Sequence, residues 1–212
     1  MAQARRNKGN DKKLTHQVSR GLREGALLIL GTLAIYLLVS LASYLPSDPG
    51  WSHAGTGAEI NNAGGVVGAW IADVLFYLFG YLAYLLPVMV AYSGWLIYRG
   101  RTPSGDIDLH VLAVRWSGFL LTIGAGCGLA TLESGPGASF LPEGPGGLLG
   151  NIIGNGLADL FSPVGATLFL LALFLTGVTL FTGMSWFTVM DFIGKHTLVF
   201  ADYVYERAGE LP

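Results

Sequence analysis

The sequence predicts an all-α polytopic membrane protein with four transmembrane helices and both termini in the cytoplasm. Three observations lead there. Of 212 residues, 52% are apolar and only 12% charged, with a mean hydropathy of +0.53, whereas a soluble domain carries roughly 25% charged residues. Four apolar runs reach the length that crosses a bilayer. Every Lys and Arg falls on alternate connecting segments. Together these argue against a soluble enzyme, a nucleic-acid-binding domain and a disordered tail. The 31 glycines lack a Gly-X-Y period, which excludes collagen. The single Cys127 excludes an internal disulfide framework and a cysteine-based metal site.

Each element follows in order. A basic segment, 1–23, carries Arg5, Arg6, Lys8, Lys12, Lys13, Arg20 and Arg23. The first span is placed at 24–45, where Ala26–Leu45 is a charge-free run of 20 residues. Spans follow at 77–98, 116–132 and 164–185, with charge-free runs of 22, 17 and 21 residues. About 20 apolar residues cross the hydrocarbon core, and about 17 is the lower limit. Arg99, Arg101 and Arg115 lie in the loop 99–115, and Lys195 and Arg207 in the tail 186–212. The loops 46–76 and 133–163 contain no Lys or Arg. The positive-inside rule then puts both termini and the middle loop in the cytoplasm and the other two loops outside, in the periplasm of a bacterium. Ser40-Leu41-Ala42 has the form of a signal-peptidase site, but the apolar run exceeds a typical h-region. Tyr44, Trp51, Trp95, Tyr98, Trp116 and Trp186 gather near the span ends, as interfacial anchors do.

The two outer loops repeat one another. Gly64-Gly65-Val66-Val67-Gly68 matches Gly146-Gly147-Leu148-Leu149-Gly150 at an offset of 82, and Trp70, Ile71, Leu75 and Leu78 face Ile152, Ile153, Leu157 and Leu160 without a gap. This spacing draws one helical stripe. Each loop is therefore expected to hold a short amphipathic helix, lying at the outer surface with its apolar side down or tucked between helix ends. The other face, with Gly65, Gly68, Ala69, Ala72 and Asp73 in the first copy, permits close backbone approach. It is either structurally plain or a protein-contact surface. The architecture is thus two hairpins in a parallel repeat.

Chemistry is scarce. The spans contain essentially no ionisable group, and His16, His53, His110 and His196 lie outside them. Groups of that kind persist in a bilayer only for a function. No metal spacing, nucleophile–base pair or P-loop is present, so no catalytic, cofactor or metal residues are expected. Asp73 and Asp159 precede the returning spans and read as helix N-terminal acids or partner contacts. Pro87, in the middle of the second span, is expected to kink it. Gly124 and Gly128 form a small-x-x-x-small pair for helix packing within the chain or between copies. The tail Trp186–Pro212 reads as an amphipathic helix leaving the membrane.

Pro46-Ser47-Asp48-Pro49-Gly50-Trp51-Ser52, Asn62-x-Gly64-Gly65, Gly68-Ala69-Trp70-Ile71-Ala72-Asp73, Phe79-Gly80 and Pro87 together resemble the N-terminal membrane domain of the FtsK/SpoIIIE DNA translocases, over roughly residues 15–210. The resemblance implies an inner-membrane protein of the division septum that helps assemble the division machinery. Its implied partners are the lipid bilayer, other divisome membrane proteins and FtsZ. It further implies a cytoplasmic motor, absent from these residues, that forms a hexamer, uses ATP and Mg and pumps double-stranded DNA. On this reading the segment is an anchor and not an enzyme. Asp48, Pro49 and Trp51, expected to be exposed, and Gly64, Gly65, Gly68 and Asp73 become the candidate partner contacts. The alternative is a small transporter or channel subunit, against which the lack of buried ionisable groups argues.

Overall fold

The computed structural model describes residues 2–55, 59–99, 109–134 and 141–209, with α1 side chains described from Gly21 onward. Among these residues every regular element is helical and there is no strand. Four helical paths are long and apolar enough to cross a membrane: Gly21–Ala42, Gly65–Arg99, His110–Glu133 and Gly147–Thr182. Residues 100–108 of the middle loop, Arg101 among them, 135–140 of the second outer loop and 210–212 of the tail lie outside the described residues.

Helix α1 (Ala2–Ala42) carries the basic segment straight into the first span. It stops short of Pro46, whose ring disfavours helical backbone in the residue before it. The Tyr44 N–H turns back to the Leu41 carbonyl at 3.3 Å and tightens the end. Helix α2 (Gly65–Phe79) follows the Gly-Gly turn, and a 3₁₀ turn (Gly80–Tyr84) joins it to α3 (Leu85–Arg99). Helix α4 (Leu109–Glu133) is continuous. Helix α5 (Gly147–Gly150) runs through a π turn (Asn151–Asn155) into α6 (Gly156–Thr182), which ends at the left-handed Gly183. Glycine reaches that conformation without a Cβ penalty, a common helix terminator. Helix α7 (Trp186–Gly209) forms the tail.

The outer segments therefore run into the spans behind them and are parted from them only by local breaks. One break is Gly80 (φ 53°, ψ −140°) and the other Ser162 (φ 64°, ψ 160°), just before Pro163. The two Gly-Gly turns share a conformation as well. Gly64 and Gly146 have φ of −83° and −95°, and Gly65 and Gly147 have φ of 68° and 65°. Gly68 donates to the Gly64 carbonyl (3.2 Å) as Gly150 does to Gly146 (3.0 Å).

Pro87 does not kink the middle of a span. It stands third in α3, directly after the 3₁₀ turn. There its missing N–H falls among the first-turn donors that have no helical partner in any case. The direction change sits upstream, at Gly80.

Helix α1 packs along α3 and α4 along α6, while α2 meets α5. One core cluster joins Leu41, Ala72, Phe76, Ala83 and Leu141, and another joins Met89, Phe119, Ile123 and Cys127. Lipid tails are as apolar as these side chains, so close van der Waals fit must hold the spans together. The glycines supply it. A Cβ on Gly177 would come within 2.7 Å of the Thr122 amide, and one on Gly128 within 2.9 Å of Leu170. Gly124 leaves only ordinary contact, 3.5 Å to Ile153.

Candidate partner-contact site

The candidate residues of the loop 46–76 are brought together where the C-terminal end of α1 meets α2, mostly facing inward. Asp48 is buried at 3% exposure, contrary to the expectation of a surface acid. Its carboxylate accepts the backbone N–H groups of Asn61 (3.0 Å) and Asn62 (2.8 Å) and the Asn61 amide (3.3 Å). Charged acceptors make the stronger hydrogen bonds, and a carboxylate fed by several donors tolerates burial. Asn62 continues the chain of contacts. Its Nδ2 donates to the Ser40 carbonyl (2.8 Å), and its Oδ1 accepts the Gly64 N–H (2.8 Å). That last bond is the Asx turn that starts the Gly-Gly entry. The Tyr36 hydroxyl closes the turn onto α1 by donating to the Gly64 carbonyl at 3.0 Å.

Asp73 is wholly buried, midway along α2 and away from its N-terminus. Its carboxylate accepts the Ser52 N–H (2.6 Å), the Ser52 hydroxyl (3.0 Å) and the Tyr44 hydroxyl (3.1 Å). Burial first, and then the Asp73 charge, push the Tyr44 hydroxyl above its ordinary pKa. Gly50 lies so close that any Cβ there would strike the Asp73 carboxyl, at 2.5 Å. At the offset of 82 Asp73 pairs with Asn155, and the nearest acid of the second unit, Asp159, is exposed near the start of α6.

Ser52, His53 and Asp73 are an apparent catalytic set, but they do not form a relay. One ring nitrogen, His53 Nδ1, faces both the Ser52 hydroxyl (3.0 Å) and the Asp73 carboxylate (3.5 Å). A serine nucleophile needs its base on one ring nitrogen and the orienting acid on the other. The cluster instead ties the 48–53 loop to α2. Among the described residues no group of three potential metal ligands occurs.

The flat face of α2 is also internal. Gly68, Ala69, Ala72 and Asp73 are buried against α1 and the loop. A Cβ on Gly68 would reach Asn62 Oδ1 at 2.6 Å and Ser40 Oγ at 2.7 Å, so Gly68 serves internal packing. Gly64 is half-buried beside Ser40, Pro49 is half-buried, and Gly65 is open. What remains outward is Trp51, 55% exposed and edge-on to Tyr77 at 5.1 Å, and the stripe Val66, Val67 and Trp70. Sequence reasoning missed Tyr44, Ser52 and Asn61 as partners of the two acids, and Ser40 as the partner of Asn62. Only Asn62, two residues before a Gly-Gly pair, carried a readable turn signal.

The chain matches the family described as "4TM region of DNA translocase FtsK/SpoIIIE" across residues 19–194. It is 41% identical over 188 residues to "DNA translocase FtsK" of Shewanella oneidensis, covering 89% of this chain and 20% of that protein. It is 40% identical over 183 residues to the Pseudomonas syringae pv. syringae protein of that name (86% and 23%), and 41% identical over 182 to the Pseudomonas putida one (86% and 22%). No solved structure matches. The chain thus spans about one fifth of the length of these relatives. A match over most of the chain, on four apolar helical paths, makes this protein a member of the FtsK/SpoIIIE family, represented by its four-helix membrane region.

Proposed function

We propose that this chain is the membrane anchor and divisome-assembly domain of a septal DNA translocase that couples cell division to chromosome segregation. The observation that carries the reading is the 41% identity to a DNA translocase over 89% of this chain. The protein sits in the inner membrane with both termini in the cytoplasm and its Lys- and Arg-free loops in the periplasm, as the charge distribution supports. Two parallel hairpins build it, a reading supported by the like turns at Gly64-Gly65 and Gly146-Gly147. ATP with Mg, double-stranded DNA and hexamer formation belong to a motor region of the full-length protein. Other divisome membrane proteins and FtsZ are its partners, and Trp51 with Val66, Val67 and Trp70 offers them the outward surface at the periplasmic end.

Residues 1–212 fused to a fluorescent protein and expressed in dividing bacteria test this. A midcell band is expected, and uniform membrane fluorescence overturns the septal reading. Trp51→Ala should thin the band without lowering the amount of inserted protein. An unchanged band moves the contact away from this loop.

A further inference from the structure

A cavity of about 280 Å³ opens between the ends of α3, α4 and α6, lined by Tyr92, Trp95, Leu96, Arg99, Arg115 and Thr182. It lies at the end of the bundle opposite the Asp48 and Asp73 clusters. Trp95, Tyr98 and Trp116, all substantially exposed, surround it as interfacial rings do. Arg99 stacks on Trp95, its Cζ 4.8 Å from the ring centroid, and Arg115 lies 5.8 Å from the Tyr92 centroid. Arg115 spends one N–H on the Phe181 carbonyl at 2.6 Å, near the C-terminus of α6. A guanidinium has five N–H donors, and among the described residues the other four have no hydrogen-bond partner. Among the described residues no carboxylate pairs with Arg99 or Arg115.

Arg99 and Arg115 contribute two positive charges, the C-termini of α3 and α6 offset about half a charge each, and the N-terminus of α4 adds about half a charge. Among the described residues the cavity is therefore net positive, and two of its six lining side chains, Tyr92 and Trp95, are aromatic. We propose that this cavity binds the singly charged phosphodiester of an anionic phospholipid headgroup, with Arg99 and Arg115 as its ligands and the acyl chains lying along α3. The Arg fork matches phosphate oxygens geometrically. Basic pockets between helix ends on the cytoplasmic side suit lipid headgroups. The chemistry is that of a phosphate oxygen anion, which inorganic phosphate shares, so the test separates the two.

The whole chain is purified in a mild detergent and titrated with phosphatidylglycerol or phosphatidylcholine, and bound lipid is counted by native mass spectrometry. Phosphatidylglycerol should be retained at least tenfold better. Arg99→Gln should reduce that retention about tenfold, the loss of one charged hydrogen-bonding partner. Arg99 is exposed and among the described residues makes no backbone bond with its side chain, so its loss leaves the fold intact, which the thermal midpoint checks. Lys195→Gln, an exposed cation on α7, should change nothing. Equal retention of both lipids, or full retention by Arg99→Gln, overturns the proposal. Displacement of phosphatidylglycerol by equimolar inorganic phosphate assigns the site to the free anion and overturns the lipid reading.

Discussion

Gly80 and Ser162 stand 82 residues apart, the offset of the Gly-Gly repeat, and each holds the positive-φ break within its apolar helical path, with φ 53° and 64°. Glycine accepts that backbone freely and serine does not. Residues held in such regions cost of order 1–3 kcal/mol, against which glycine's own entropic cost is about 0.5–1. Ser162 is exposed, so its side chain has little packing to lose. Ser162→Gly is therefore expected to raise stability by about 1 kcal/mol, read as a higher denaturant midpoint in detergent. A lowered midpoint would mean that the serine side chain matters to the break. Gly80→Ser should do the reverse, because a Cβ there would collide with the Pro145 carbonyl.

Gly147 and Gly65 permit a test of packing at constant backbone. Both sit at positive φ, 65° and 68°. A Cβ on Gly147 would fall 2.6 Å from the Gly80 amide and 2.7 Å from the Leu78 carbonyl, whereas a Cβ on Gly65 meets nothing within 4 Å. The Tyr81 N–H donates to Pro145 at 2.8 Å across the same junction. Each Ala substitution carries a similar conformational cost, and Gly147→Ala adds overpacking of about 1–3 kcal/mol. The thermal midpoint of Gly147→Ala should lie well below that of Gly65→Ala. Equal midpoints would show that the two outer segments do not touch.

Asp73→Asn keeps the shape of a side chain that accepts three hydrogen bonds but replaces one oxygen with an amino group facing donors. A buried donor left facing another donor costs about 1–3 kcal/mol. The variant should unfold at a lower denaturant concentration. Asp159→Asn, on an exposed site, should change stability by no more than about 0.5 kcal/mol. Equal effects from the two would contradict the inward carboxylate.

The spans were legible because a charge-free run of about 20 residues has few other uses. The Gly-Gly repeat was legible because its turns need glycine at positive φ. The burial of Asp48 was not, since an acid in a polar loop reads as solvated and its donors are largely backbone N–H groups of Asn61 and Asn62, which no residue type announces. Pro87 misled for a related reason. Proline in an apolar run signals a kink, but whether it stands inside a helix or at its first turn depends on where the helix begins. That start was fixed by Gly80, seven positions upstream. The inward face of α2 was visible as a row of small residues, yet the sequence did not say whether that row faced its own chain or another protein.

Cys127 offers a probe of the same packing without any engineered residue. It is fully buried in the cluster with Met89, Phe119 and Ile123, and its thiol donates to the Phe79 carbonyl at 3.4 Å, linking α4 to the end of α2. The thiolate is the reactive form, and a thiol shut away from reagent and water reacts only when the surroundings open. A membrane-permeant maleimide should therefore label folded protein roughly a hundredfold more slowly than protein unfolded in dodecyl sulfate, corresponding to an opening of about 3 kcal/mol. The rate, followed by intact mass, should rise in Gly147→Ala, because α5 closes over the Cys127 carbonyl through Gly146 and Gly150. It should stay unchanged in Gly65→Ala, whose strain lies at the far end of α2. Rapid labelling of the unaltered protein would place Cys127 on a surface and break the α2–α4 contact on which this prediction rests.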